Sequence, residues 1–296
     1  MNYATVERMS TKNCIGVDLG GTKCALARFD AQTWEILEKK TIPTRADQGF
    51  SVVMDDVVNA VNELRTPETV SMGIGVPGLI RQPEGLLLKA PNIGASENIP
   101  VKKILEERLN MPVAVGNDAN CFVLAEAHMG SAKGYRVVVG ITFGTGVGGG
   151  IVIDGKIFEG GHGYAAEIGH MLLMPGRPPY ESDDKRGRVE QFLSGTAMGK
   201  RCEAAQSPED YLEGAVCSFM QPEIYREVAW LCTNLTYLLD PDVIVFGGSA
   251  GHALLKHLDS ITAELKKWTL PGTPLPDIVA ATTRDSGILG AALLAK

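Results

Sequence analysis

Two short stretches of this 296-residue chain set glycines and a threonine into what reads as a tight turn between strands. The first is Asp18-Leu19-Gly20-Gly21-Thr22-Lys23. The second is Gly144-Thr145-Gly146, which opens the run GTGVGGG at 144–150. Glycine lets backbone N–H groups approach phosphate oxygens with no Cβ in the way. Thr22 and Thr145 add hydroxyl donors, and Asp18 supplies a carboxylate that could hold hydrated Mg²⁺. One such turn alone reads best as an ordinary glycine hairpin; two, each with a threonine, favour phosphate binding. A third candidate is Asp118, between an apolar strand and a helical stretch. A carboxylate there can take a proton from a hydroxyl or cap the helix. Its local sequence leaves both open and by itself favours the cap. Asn117 beside it offers a donor and an acceptor, as a vicinal diol would require, or is simply a turn residue.

The residues after the glycines exclude the competing nucleotide motifs. Gly-Lys pairs occur at 155–156 and 199–200, but Ile157 and Arg201 come next, so there is no P-loop. Residues 144–149 match G-x-G-x-x-G literally. A dinucleotide fingerprint needs a helix next, to hold pyrophosphate at its N-terminus. Here the chain continues GIVIDGKI, a β-branched strand ending in an Asp154-Gly155 hairpin turn.

The surrounding elements must position these turns. Strands are expected at 13–19, 22–29, 35–43, 69–76, 112–116, 136–143, 149–153, 242–246 and 277–281. Helices are expected at 51–64, 100–109, 119–129, 222–239, 252–267 and 286–295. Mixed strands and helices imply an α/β fold. Each half opens with a strand, a glycine turn carrying a threonine, and a second strand, a loose internal repeat that implies two related lobes facing a cleft. The expected division is an N-terminal lobe of residues 1–118, joined by the closing helix 286–296, and a C-terminal lobe of residues 119–285.

Composition narrows the class. The net charge is −7 and the isoelectric point about 5.3, which argues against a nucleic-acid partner. No apolar run is long enough to cross a membrane, and residues 1–13 show no leader. The six cysteines, Cys14, Cys24, Cys121, Cys202, Cys217 and Cys232, form no C-x-x-C pair. They read as free buried thiols, and the chain as a cytoplasmic protein.

With these residues in place, the sequence resembles the ROK family of repressors, open reading frames and kinases. The matches are DLGGTK at 18–23, VPG at 76–78, NDAN at 117–120, GTGVGGG at 144–150, AAEIGH at 165–170, EQFLSG at 190–195 and DPDVIVFGG at 240–248. The resemblance implies a two-lobed actin/Hsp70/hexokinase-like (ribonuclease H-like) fold with the active site in the cleft between lobes. It implies an ATP- and Mg²⁺-dependent kinase acting on a hexose, at O6 of glucose, fructose, mannose or an N-acetylhexosamine, with Asp118 as general base. Asp18, Gly20, Gly21, Thr22, Lys23, Gly144, Thr145 and Gly146 would hold phosphates and metal, and Gly247 and Gly248 would lie beside the adenosine. Asn92, Asn117, Glu167, His170 and Glu190 would contact the sugar. A homodimer is implied as well.

The chain departs from the family pattern in two places. ROK proteins usually carry cysteines between the Gly-His dipeptide and the position of Glu190, and these join the histidine on a structural zinc. Here residues 171–189 contain no cysteine, and His170 alone cannot make a four-coordinate site. No zinc is expected, and the proline-rich, charged interval reads as a mobile loop. Ala166 stands where the family usually has glycine. Two rivals are a non-catalytic sugar-responsive regulator and a sugar-independent ATPase of the same fold. The first would carry a DNA-binding domain ahead of Asp18, where seventeen residues are too few for one. The second would leave the sugar-binding set without a purpose.

Overall fold

The structure is a computed structural model that describes residues 11–296. The leaderless reading of residues 1–13 therefore concerns a stretch whose first ten residues lie outside the described ones. The chain forms two compact units: residues up to Cys121 with Gly287–Lys296, and Phe122–Ser286.

In chain order the first unit contains β1 (Asn13–Leu19), β2 (Lys23–Asp30), β3 (Ile36–Pro43), α1 (Phe50–Leu64), β4 (Thr69–Val76), β5 (Leu79–Arg81), β6 (Leu86–Ala90), β7 (Ala95–Pro100), α2 (Val101–Leu109) and β8 (Val113–Asn117). Helix α3 (Asp118–Met129) begins here and runs into the second unit. The main sheet has the order β3-β2-β1-β4-β8. Its first three strands are antiparallel and its last three parallel. Strand β1 lies between two neighbours and is apolar almost throughout, as a strand buried on both faces must be. Val53, Met54, Val57, Val61 and Leu64 turn one face of α1 into the core.

The second unit contains β9 (Val137–Phe143), β10 (Val147–Ile153), β11 (Lys156–Ile157), α4 (Val189–Leu193), α5 (Gly195–Arg201), α6 (Pro208–Leu212), α7 (Gln221–Leu239), β12 (Val243–Gly247), α8 (Gly248–Leu255), α9 (Leu258–Trp268) and β13 (Asp277–Ala280). Its sheet order is β11-β10-β9-β12-β13, again antiparallel first and parallel after. The loose sequence echo is thus a repeat of topology: in each sheet the glycine turn joins the central strand to its antiparallel neighbour. Strand β10 comes directly after the second turn, which removes the dinucleotide fingerprint. Asp154 and Gly155 both take positive φ, 51° and 75°, as a type I′ hairpin requires.

Three features depart from expectation. A small sheet, β5-β6-β7, fills residues 79–100; its strands are short and irregular in register, so they leave little alternation to read. The helix expected at 252–267 is two helices, α8 and α9, and Tyr225 of α7 bonds the His257 ring at the break, Oη to Nδ1 2.7 Å. The reading of six free thiols is also corrected. Cys202, at the end of α5, is bridged to Cys217, with Cα atoms 6.2 Å apart. α6 folds the intervening residues back, and a spacing of fifteen carries no motif. The thiols therefore no longer bear on compartment. No helix among the described residues is long and apolar enough to cross a membrane.

The closing helix α10 (Ser286–Leu294) is apolar on all sides and buried from Ile288 to Leu293. It lies against the first sheet with no side chain between the backbones. A methyl on Gly16 of β1 would sit 2.0 Å from the Ile288 carbonyl oxygen, and one on Gly73 of β4 1.7 Å from that of Ala291. Neither carbonyl belongs to a movable side chain, so the helix itself would have to shift. Gly73→Ala is expected to destabilise the protein by about 3 kcal/mol or more. Thermal denaturation checks this, and a wild-type Tm would contradict the close packing.

Candidate active site

In the first unit the Gly20–Thr22 turn is closed by Gly20 N–H donating to the Lys23 carbonyl at 3.0 Å. It is tied to the chain beyond β3 by Thr44, whose N–H donates to the Thr22 carbonyl at 2.9 Å and whose hydroxyl donates to that of Gly20 at 2.7 Å. Gly21, Thr22 and Lys23 are exposed. Asn92 lies in the short helical turn Pro91–Ile93 that joins β6 to β7. Its backbone oxygen would be 3.1 Å from a methyl on Gly21, so Asn92 is beside the hairpin.

Asp18 and Asp118 emerge near the ends of β1 and β8, on either side of β4. Asp118 is crowded by protein, yet more than a third of the residue's surface remains open to solvent. Burial raises its pKa to about 6, and the negative charge of Asp18 pushes the same way, while the Ala119 N–H opposes. The Asp18 carboxylate is set against the start of α10, where a methyl on Gly287 would lie 2.5 Å from Oδ2. The sequence gives no hint of Gly287, because a glycine at a helix start carries no signal of the group that lies above it.

Asn117, rather than Asp118, is the principal cap of α3. Its Oδ1 accepts from Ala119 N–H at 2.8 Å and Asn120 N–H at 3.3 Å. Its Nδ2 donates to the Gly78 carbonyl at 3.0 Å. Both lone pairs and one of two amide hydrogens are thus committed, which leaves one N–H for a ligand. Asp118 Oδ1 accepts from the N–H of the next residue, at 2.8 Å.

In the second unit the Gly144–Gly146 turn is closed by Gly144 N–H to the Gly146 carbonyl at 2.9 Å. Nothing lies within 4 Å of where a methyl on Gly144 would be, so the turn has an open face. The start of α5 grips it from behind: Gly195 N–H donates to the Gly144 carbonyl at 2.8 Å and the Thr196 hydroxyl to that of Thr145 at 2.8 Å. Glu190 of α4 accepts from Val147 N–H at 3.1 Å through Oε2. Thr145, Tyr180, Arg188, Glu190, Ser194 and Thr196 share a polar cavity of about 230 Å³. Gly195 and Thr196 escape a sequence reading, although EQFLSG runs into them, because only its charged residue stands out. Gly247 and Gly248 form the strand-to-helix turn from β12 into α8. Gly248 has φ +79°, and a methyl there would meet the Phe143 carbonyl at 2.3 Å, so local geometry alone demands this glycine.

Glu167 precedes a short helical turn, Ile168–His170, and His170 ends it. It seats on β10 through two glycines: a methyl on Gly169 would be 2.1 Å from the Val147 carbonyl, and one on Gly149 2.5 Å from the Ile168 side chain. His170 Nε2 is 3.8 Å from Glu167 Oε2. Although the His170 side chain is 55% exposed, partial desolvation of the ring, then the charge of Arg188, lowers its pKa.

The interval 171–189, expected to be mobile, is instead stitched together. Leu173 and Met174 N–H groups donate to the Gly187 carbonyl, at 2.9 and 3.1 Å, and Val189 N–H donates to that of Met171 at 2.8 Å. Buried Gln191 accepts from Gly187 and Arg188 N–H, both at 3.0 Å, and donates to the Asp184 carbonyl at 2.6 Å. Among the described residues no three His, Cys, Asp or Glu side chains gather as a metal-ligand set.

Two sheets of one topology, each turning on a glycine hairpin, define an α/β fold of the actin and hexokinase class. Residues 14–296 match the ROK family. The glucokinase of Streptomyces coelicolor is 33% identical over 312 residues, covering 95% of this chain and 97% of that protein. The N-acetyl-D-glucosamine kinase of Pectobacterium atrosepticum is 33% identical over 304 residues, covering 94% and 97%. The crystal structure of a ROK family glucokinase from Streptomyces griseus in complex with glucose and AMPPNP superposes with a TM-score of 0.74 at 30% identity, covering 96% of this chain and 99% of that one. The chain belongs to the ROK family.

Ala166, the second departure from the family pattern, has φ +65°. An L-residue is strained there by about 1–2 kcal/mol, and glycine is not. Ala166→Gly is expected to stabilise the protein by about 0.5–1 kcal/mol after glycine's larger unfolded-state entropy is subtracted. The measurement is Tm, which should rise by about 2 °C; a fall would show that the strain is relieved elsewhere.

Proposed function

We propose that this ATP-dependent sugar kinase transfers the γ-phosphoryl group to O6 of glucose, fructose, mannose or an N-acetylhexosamine, with Asp118 as the general base. The observation that carries the reading is the state of Asp118. With Asn117 doing most of the capping, the Asp118 carboxylate keeps capacity for a proton. Its pKa of about 6 leaves it ionised at neutral pH yet more basic than an ordinary aspartate. Family membership and kinase relatives under two sugar names support the reaction class.

The step balances simply. Asp118 accepts the hydroxyl proton as the sugar oxygen bonds to the γ-phosphorus, and the bond from that phosphorus to the bridging oxygen breaks to release ADP. The protein's work is alignment and neutralisation of charge. The two glycine turns offer N–H groups and threonine hydroxyls to phosphate oxygens. Asp18 has the hard oxygen donors that suit Mg²⁺, and the ion would offset charge on the transferring phosphoryl group. Asn117 has an N–H left to donate to a sugar oxygen, and Asn92, Glu167, His170 and Glu190 complete the proposed sugar contacts. On the resemblance alone we also propose a Mg²⁺-dependent homodimer acting in the cytoplasm.

ADP release measured over a panel of hexoses and N-acetylhexosamines tests the reaction; full-rate ATP turnover without any sugar would favour the ATPase rival. Asp118→Asn is expected to keep sugar binding while kcat falls by about 10²–10⁴-fold. A near-normal kcat would remove Asp118 as the base. The sign of the pH dependence comes from the raised pKa. As pH falls through about 6 the carboxylate gains its proton and cannot accept another, so kcat/KM should drop about tenfold per unit below that point. An inflection near pH 4 would mean that Asp118 titrates as an ordinary aspartate.

A further inference from the structure

A kinase that uses His170 to meet a sugar hydroxyl must fix which ring nitrogen carries the proton. The residue that can do this here is Arg188. Its Nη1 is 2.5 Å from His170 Nδ1, and its Nη2 is 2.8 Å from Asp184 Oδ2. A guanidinium has hydrogens to give and no lone pair to accept with. His170 Nδ1 must therefore accept, which places the ring hydrogen on Nε2, the nitrogen 3.8 Å from Glu167 Oε2. A hydroxyl between these groups would accept from Nε2–H and donate to the carboxylate.

Arg188 is itself held. Its side chain is only 14% exposed, its backbone N–H donates to Gln191 Oε1, and the Gln191 amide also ties down Asp184. Gly187 before it has φ +71°, and a methyl there would strike the Met174 carbonyl at 1.8 Å, so the approach of the chain is fixed too.

We propose that Arg188, braced by Asp184 and Gln191, is a positioning residue that locks His170 as the Nε2–H tautomer for recognition of a sugar hydroxyl. This rests on the reading of His170 as a sugar contact, and the experiments separate the two. Imidazole ¹⁵N spectra of the unaltered protein should show neutral His170 protonated on Nε2; protonation on Nδ1 overturns the proposal whatever the sugar does. Arg188→Ala should raise the sugar KM by about tenfold or more while leaving the KM for ATP within about twofold. Guanidinium added far below denaturing concentrations should restore the sugar KM in Arg188→Ala, but not in the double variant Arg188→Ala, His170→Ala. An unchanged sugar KM in Arg188→Ala, or no rescue of the folded variant, overturns the link through Arg188. An unchanged sugar KM in His170→Ala alone overturns the proposal at its premise.

Discussion

The first unit depends on a contact that leaves no room for side chains. α10 lies with its carbonyls against Gly16 and Gly73, and its Gly290 lies against the Cys121 carbonyl, where a methyl would come within 1.7 Å. A helix apolar on every face is stable only when it is covered, and glycines on both partners let the cover come this close. The consequence reaches the chemistry. The N-terminal end of the same helix brings Gly287 under Asp18, and its middle holds the first turn of α3, which begins with Asp118. One packing event thus sets the height of both carboxylates.

That arrangement gives two acids of one type different surroundings. Asp118 is crowded and lies within the field of Asp18, so its ionised form is disfavoured and its basicity rises. A helix cap would have opposed this, because accepting several backbone N–H bonds stabilises the carboxylate. Asn117 takes most of that role through Oδ1, and an amide has no charge to tune. The neighbouring pair thus leaves most of the capping to Asn117, which keeps one N–H where its sequence offered a full donor–acceptor set.

The features legible in the sequence obey local rules. The two glycine turns, the strand after Gly146 and the type I′ turn at Asp154-Gly155 each rest on neighbouring residues, and each lies at its expected position. The elements that escaped depend on contacts remote in sequence. Cys202 and Cys217 meet only because α6 intervenes. The break before α9 coincides with a bond from Tyr225, thirty-two residues away. Gly287 and Gly73 look like any helix or strand glycine until the backbone opposite is known. Gly195 ends a recognised motif and Thr196 follows it, but their grip on the second hairpin runs through backbone oxygens, to which residue type gives no clue.

The interval 171–189 shows how a missing ligand set can be read in the wrong direction. Without cysteines, and rich in proline and charge, its sequence looks unanchored. Its charges are in fact the anchor. Asp184 is held as an anion at a pKa of about 2, first by its bond to Arg186 and also by the charge of Arg188, and Arg188 then meets His170. A tetrahedral zinc site fixes a histidine by one bond of set length and direction. A guanidinium fixes it by a donor that is always charged and planar, and that needs its own acceptor to stay in place. Exposed ion pairs are weak and screened by salt, so the arginine can serve only if it is sheltered and braced. Arg188 meets both conditions, largely shielded from solvent and tied through Gln191. The strand-like bonds at the base of the loop and the buried glutamine close its proline-rich outer part from below.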